Sequence, residues 1–224
     1  MTLARRVTSE AIGTALLLAS VVGSGIMGQR LAGGNVAIAL LANTIATGAA
    51  LVALILAFGP ISGAHFNPVV TLADAFQGGI AWRQVPAYLV AQLAGAFAGV
   101  AAAHLMFGEP VLSASQRARS GNGQLFSEFV ATFGLLAVIW GCARVRPSAV
   151  AFAVGAYITS AYWFTASTSF ANPAVTLARA FTNTFSGIRP IDALGFVLMQ
   201  LGGAAAATAL FRWLRPPLVP ERKP

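Results

Sequence analysis

Two asparagines decide what chemistry this chain can offer. Asn67 stands in Phe66-Asn67-Pro68-Val69-Val70-Thr71-Leu72-Ala73-Asp74-Ala75-Phe76, and Asn172 in Ala171-Asn172-Pro173-Ala174-Val175-Thr176-Leu177-Ala178-Arg179-Ala180-Phe181. The stretches match almost residue for residue at a spacing of 105. In each, Asn is placed to cap a helix and Pro to enter its first turn, where the missing N–H has no partner to lose. Each helix then runs for roughly ten residues, too few to cross a hydrocarbon layer about 30 Å thick. Short helices with polar N-termini among long apolar segments mark the path of an ion or solute. Each N-terminus presents about half a positive charge, and each Asn amide offers N–H donors. A neutral solute can exchange its water hydrogen bonds there while a cation or hydronium is refused. Residues 59–66 and 167–171, unwound ahead of each motif, are expected to add carbonyl acceptors, since irregular backbone at membrane depth must be buried or face a cavity.

The rest of the chain must hold these two motifs. Of its 224 residues 57% are hydrophobic and 9% charged, with mean hydropathy +0.76. A soluble domain carries about 25% charged residues, so this is an integral membrane protein, and its long apolar spans make it an all-α membrane protein. The net charge of +8 comes from Lys and Arg in short links and at the ends, not from a basic stripe interleaved with aromatics, which argues against a nucleic-acid partner. The single Cys142 excludes an internal disulfide and reads as a small apolar residue. Met1 to Arg6 before a long apolar run imitates a signal peptide, but it has no separable cleavage site and reads as a retained first helix.

Six segments are long enough to span: about 10–28, 36–58, 86–107, 126–143, 149–168 and 192–214. The halves repeat. Ser9-Glu10-Ala11-Ile12-Gly13-Thr14 answers Ser127-Glu128-Phe129-Val130-Ala131-Thr132, and Ala91-Gln92-Leu93-Ala94-Gly95 answers Met199-Gln200-Leu201-Gly202-Gly203. The chain thus reads as a single channel domain over 1–224, built from repeats of about 9–107 and 127–214. Three spans per half make the repeat inverted. With both termini in the cytoplasm, the inner side collects nine basic residues (Arg5, Arg6, Arg83, Arg144, Arg146, Arg212, Arg215, Arg222, Lys223) and the outer side five (Arg30, Arg117, Arg119, Arg179, Arg189). That bias favours cytoplasmic N- and C-termini.

The twin motifs, the Ser62-Gly63-Ala64-His65-Phe66-Asn67-Pro68 lead-in and the paired Glu10 and Glu128 resemble the aquaporin and aquaglyceroporin family of major intrinsic proteins. The likeness covers roughly 9–214. It implies six tilted helices plus two re-entrant half-helices, one pore per subunit, a homotetramer in a bacterial-type inner (plasma) membrane, and no cofactor or metal. The pore motifs are then Asn67, Pro68, Val69 and Asn172, Pro173, Ala174. The family usually carries Arg directly after the second motif, as part of an outer selectivity filter; Val175 holds that place here. An apolar side chain instead of a fixed cation implies a wider and less cation-repelling filter. Family offsets assign the remaining filter positions to Thr47, Ser160 and Ser169, leaving a filter with no large aromatic ring. The other reading of these hydroxyls is helix packing.

Arg179 lies one turn beyond Val175, with Asp74 in the matching place of the first motif. Either this pair marks the two mouths, or Arg179 snorkels to the headgroups. Glu10 and Glu128 read as braces for the re-entrant loops, helped by Gln92 and Gln200; His65 reads as pore lining or a further brace. Among rival functions, an enzyme built on Ser24 with His65 or His104 lacks any supporting constellation. An ion- or proton-coupled transporter would have only Glu10 and Glu128 as coupling groups. The expected function is a passive channel for small neutral solutes: water, glycerol-like polyols or metalloid hydroxides such as arsenous acid. Members of the resembled family that lack the filter Arg include bacterial channels associated with arsenic handling.

Overall fold

The computed structural model describes residues 1–214; Arg215, Arg222 and Lys223 of the charge count lie outside the described residues. Eight α-helices are present among these residues: α1 (Leu3–Leu31), α2 (Val36–Ser62), α3 (Pro68–Gln77), α4 (Val85–Phe107), α5 (Asn122–Ala143), α6 (Val150–Phe164), α7 (Pro173–Arg179) and α8 (Pro190–Leu214). Five of them, α1, α2, α4, α5 and α8, are long and apolar enough to cross a membrane. The fifth expected span is shorter than the reading of 149–168. α6 has 15 residues, about 22 Å of helix; a 3-10 turn (Pro147–Ala149) precedes it, and its chain leaves as extended backbone at Thr165.

The ends follow from local sequence. Asn35 caps α2 by accepting from the amides of Ala37 and Ile38. Asn67 and Asn172 do the same for α3 and α7 with Pro in the first turn. α2 runs through Pro60 to Ser62 before Gly63 stops it at φ 92°, so the unwound lead-in to α3 is 63–66 rather than 59–66. Glycine suits that stop because a left-handed residue with a Cβ is strained.

The packing pattern is the same in each half. α1 packs on α2 and α4, as α5 packs on α6 and α8, and α2 meets α6 across the middle. Each half-helix touches the last span of both halves, α4 and α8, and the half-helices touch each other. Small residues set the close crossings: a Cβ on Gly95 or Gly99 would strike the backbone of α1 at Ala11 or Ala15, and one on Gly203 the backbone of α5 at Phe129. Outward faces carry exposed Ile12, Leu16, Ile45, Val90, Leu194 and Leu198, as lipid-facing surfaces do. Trp82, Trp163 and Trp213, at or near helix ends, are at least half exposed.

Replacing Gly95 by Leu should destabilise the α1–α4 crossing by roughly 1–3 kcal/mol or more. Gly59→Ala, where a Cβ meets open space, should leave thermal unfolding in detergent unchanged. Equal melting curves for the two variants would contradict this packing.

Candidate functional site

A cavity of about 620 Å³ runs between the spans and is lined by Asn67 and Asn172, with Arg6, His65 and Asp74 toward one end and Tyr162, Val175 and Arg179 toward the other. Two strained loops frame it. Gly63, Ala64 and Phe66 have φ of 92°, 49° and 49°, and Thr168, Ser169 and Ala171 of 61°, 50° and 48°: the same pattern in both repeats, in a region that costs non-glycine residues about 1–3 kcal/mol each.

Buried carboxylates hold these loops open. Glu10 Oε1 accepts from Ser62 Oγ at 2.6 Å and the His65 amide at 3.0 Å, while Oε2 accepts from the Phe66 amide at 2.7 Å and Gln92 Nε2 at 2.8 Å. Glu128 accepts from the amides of Phe170 and Ala171 at 2.8 and 2.9 Å and from Gln200 Nε2 at 2.6 Å. Gln92 and Gln200 also donate to Thr71 Oγ1 and Thr176 Oγ1, at 2.9 and 2.8 Å. Both glutamates are fully buried, and their placement is that of the brace.

The half-helices meet N-terminus to N-terminus through a reciprocal bond. Asn67 Nδ2 donates to Ala171 O at 2.8 Å, and Asn172 Nδ2 donates to Phe66 O at 2.8 Å. Their Oδ1 atoms cap α3 and α7. Each amide has two N–H donors, so one fixes the opposite loop and the second is left for a solute in the cavity. Pro68, Val69, Pro173 and Ala174 are buried behind them.

Thr47, Ser169 and Val175 line the cavity together. Ser160 does not. It lies on the exposed face of α6 and its hydroxyl donates to Tyr157 O at 2.7 Å. α6 turns Val150, Val154, Ile158 and Tyr162 inward, each four apart and so on one face, and the Tyr162 and Thr47 hydroxyls lie 3.3 Å apart. The expected absence of an aromatic ring is therefore corrected: Tyr162 stands there. An ungapped count back from Asn172 picked Ser160; helical phase along α6 would have picked Tyr162.

Arg179 is 2% exposed and does not reach outward to headgroups. Its guanidinium lies 3.4 Å from the Phe170 ring centroid, and its Nε donates to Ser186 O. Asp74, at the other end, faces His65 Nε2 at 3.7 Å, and His65 Nδ1 contacts Thr71 Oγ1 at 3.0 Å. The structure adds a cation that the motifs did not disclose. Arg119, from the 108–121 link, folds inward, donating to Gly187 O at 2.8 Å and Ser167 O at 3.2 Å, with its guanidinium 5.0 Å from the Phe170 centroid. Burial, and then the guanidiniums of Arg179 and Arg117, pull it down to about 9. It remains charged at neutral pH. No sequence signal beyond its place in a long link could have found it.

A cavity crossed by two capped half-helices that meet head to head, inside a bundle of apolar spans, defines a membrane channel of the aquaporin type. The chain belongs to the major intrinsic protein family, whose profile it matches over residues 1–148 and 142–222. It is 58% identical over 218 residues to "Aquaglyceroporin AqpS" of Rhizobium meliloti (strain 1021), covering 97% of this chain and 93% of that one. It is 36% identical over 184 residues to "Aquaporin NIP1-3" of Oryza sativa subsp. japonica, covering 79% of this chain and 63% of the relative. The aquaglyceroporin structure from Plasmodium falciparum has the same fold, with TM-score 0.74 and 21% identity over 96% of this chain and 98% of that one.

Glu128→Ala would leave two buried loop amides and one of the two Gln200 Nε2 hydrogens without an acceptor. An unsatisfied buried group costs about 1–3 kcal/mol, so the variant should unfold well below the parent and lose solute flux in proteoliposomes. Thermal unfolding followed by circular dichroism, alongside light-scattering permeability, checks both.

Proposed function

We propose that this channel passes small neutral solutes of the glycerol class, with undissociated metalloid hydroxides such as arsenous acid among them. The observation that carries the reading is the lining around Val175. One wall of the cavity is apolar (Val175, Ile158, Phe170), and Thr47, Tyr162 and Ser169 place hydroxyls on the same cavity. Ser169 Oγ has no hydrogen-bond partner among the described residues. A polyol or trihydroxide can lay its apolar side on the valine wall and hand its hydroxyls to these groups and to the spare amide hydrogens of Asn67 and Asn172. The similarity to a chain named an aquaglyceroporin supports this solute class.

Charge selection is assigned to the half-helix N-termini and to Arg179, with Arg119 behind the same ring. Val175 removes the cation from the lining itself, and Arg179 restores one a turn further along, with Asp74 at the opposite mouth. The coupled-transporter alternative loses its candidates. The carboxylates of Glu10 and Glu128 are committed to loop amides and glutamines, and moving a proton onto either would release the loop it holds. We place the protein in the plasma membrane as a homotetramer with cytoplasmic termini, in two inverted repeats forming a single channel domain.

Stopped-flow light scattering of proteoliposomes under inward gradients of glycerol and arsenous acid, with sucrose as control, tests the reading. Val175→Arg should lower both permeabilities about tenfold or more, the equivalent of ~1.4 kcal/mol on the barrier. Tyr162→Ala should change glycerol flux, and Ser160→Ala should not. Flux should rise linearly with concentration; saturation would favour the transporter. If Val175→Arg leaves both solutes unaffected, Val175 is not in the filter and the solute assignment fails.

With the same vesicles, Arg179→Gln should raise cation leak while leaving the glycerol rate within about twofold, because one charge is lost and no steric block is added. An unchanged leak, read from a membrane-potential dye, removes Arg179 from the charge barrier.

A further inference from the structure

The two repeats differ where their half-helices meet the opposite last span. Phe181, just beyond α7, packs edge to face on Phe97 of α4 with ring centroids 5.4 Å apart. Counting from the matched Gln92 and Gln200, Phe97 of α4 corresponds to Ala205 of α8, and by the matched asparagines Phe181 corresponds to Phe76. The equivalent place between α3 and α8 therefore has one aromatic ring missing. Phe76 turns to Trp82 instead, centroids 4.8 Å apart, and is 61% exposed.

What is left is a groove of about 730 Å³, walled by Leu72 and Phe76 on α3 and by Ala205 and Thr208 on α8, with Arg212 and Trp213 at its end. From Leu201 to Trp213 the α8 wall rises about 18 Å, close to the ~15 Å hydrocarbon depth of a single leaflet. Its deep end is apolar and reaches Val69, beside the first pore motif. Its shallow end carries an exposed guanidinium, that of Arg212, with no ion-pair partner among the described residues, next to an exposed tryptophan of the kind that sits at headgroup level.

We propose that this groove is a binding site for one phospholipid with an acidic headgroup, from the leaflet on the side where α3 and α8 end. An acyl chain takes the place that Phe97 fills in the other repeat, and Arg212 holds the phosphate and the headgroup charge. The occupant is lipid rather than solute because the walls are apolar along a leaflet's depth and Arg212, the cation among the described residues that line the groove, lies at headgroup level. The site is separate from the pore and independent of which solute the pore carries. Because Val69 and Leu72 belong to α3, the bound chain packs directly on the half-helix that carries Asn67.

The full-length protein, purified in detergent and titrated with phosphatidylglycerol or phosphatidylcholine, would be examined by native mass spectrometry. One phosphatidylglycerol per chain should bind more tightly than phosphatidylcholine. Ala205→Phe, which rebuilds the plug of the other repeat, should weaken it about tenfold or more. Arg212→Gln should abolish the preference for the acidic lipid while keeping a bound chain. Phe97→Ala should open the equivalent groove and add one lipid per chain. Wild-type phosphatidylglycerol affinity in Ala205→Phe, or equal binding of both lipids by the parent, would overturn the proposal. A change in subunit number in Ala205→Phe would also overturn it, by showing that a second copy of the chain covers the groove. If Ala205→Phe does not fold, Arg212→Gln and Phe97→Ala decide alone, and parental lipid binding in both of these variants rejects the site.

Discussion

Irregular backbone cannot stand inside a bilayer unless its polar groups find partners within the protein. In this fold two carboxylates meet that demand. Glu10 and Glu128 each take two consecutive loop amides and a glutamine side chain, and so hold Ala64 and Phe66, and Ser169 and Ala171, in a conformation that non-glycine residues otherwise avoid. A buried charge is tolerable only when it is densely hydrogen-bonded, and here that same density fixes where each loop stands. Remove the carboxylates and the half-helices lose the scaffold on which their capping asparagines are aimed.

On that scaffold the pore uses few charges. The asparagine amides divide their work, with Oδ1 capping the helix behind and Nδ2 tying down the opposite loop. Their geometry is set twice over, by the local cap and by the partner loop, and little freedom is left to lose when a solute arrives. Preorganised donors of this kind replace hydration without a large reorganisation on each passage. The guanidiniums of Arg119 and Arg179 are held by backbone carbonyls and the Phe170 ring rather than by carboxylates. Among the described residues neither guanidinium forms an ion pair.

The twin motifs, the number of long apolar segments and the pairing of Glu10 with Glu128 were legible in the sequence because each is fixed by short-range rules of capping, span length and repetition. Thr47, Ser169 and Val175, placed by the offsets of the resembled family, do line the cavity. Ser160 was misassigned because an offset counted across the end of a helix assumes the link length, and α6 stops at Phe164. Two residues along a helix turn the side chain by about 200°, just over half a turn, enough to exchange an exposed serine for the phenol of Tyr162. Arg119 was invisible for a different reason. A link without periodicity gives no clue to its direction, and only the carbonyls of Ser167 and Gly187 reveal that it turns inward.

The reciprocal asparagine bonds also bear on the order in which the chain can assemble. Phe66 O is satisfied by a side chain 106 positions later, and Asn67 by a carbonyl 104 positions later. The first repeat therefore enters the membrane with its loop acceptor and amide donor unmatched, and neither can be matched until the ribosome has passed residue 172. The pore is a late product of biosynthesis: two half-built vestibules, inserted at different times, become one conduit only when the second arrives. Of the two, it is the half-helix made first that has to wait for its partner.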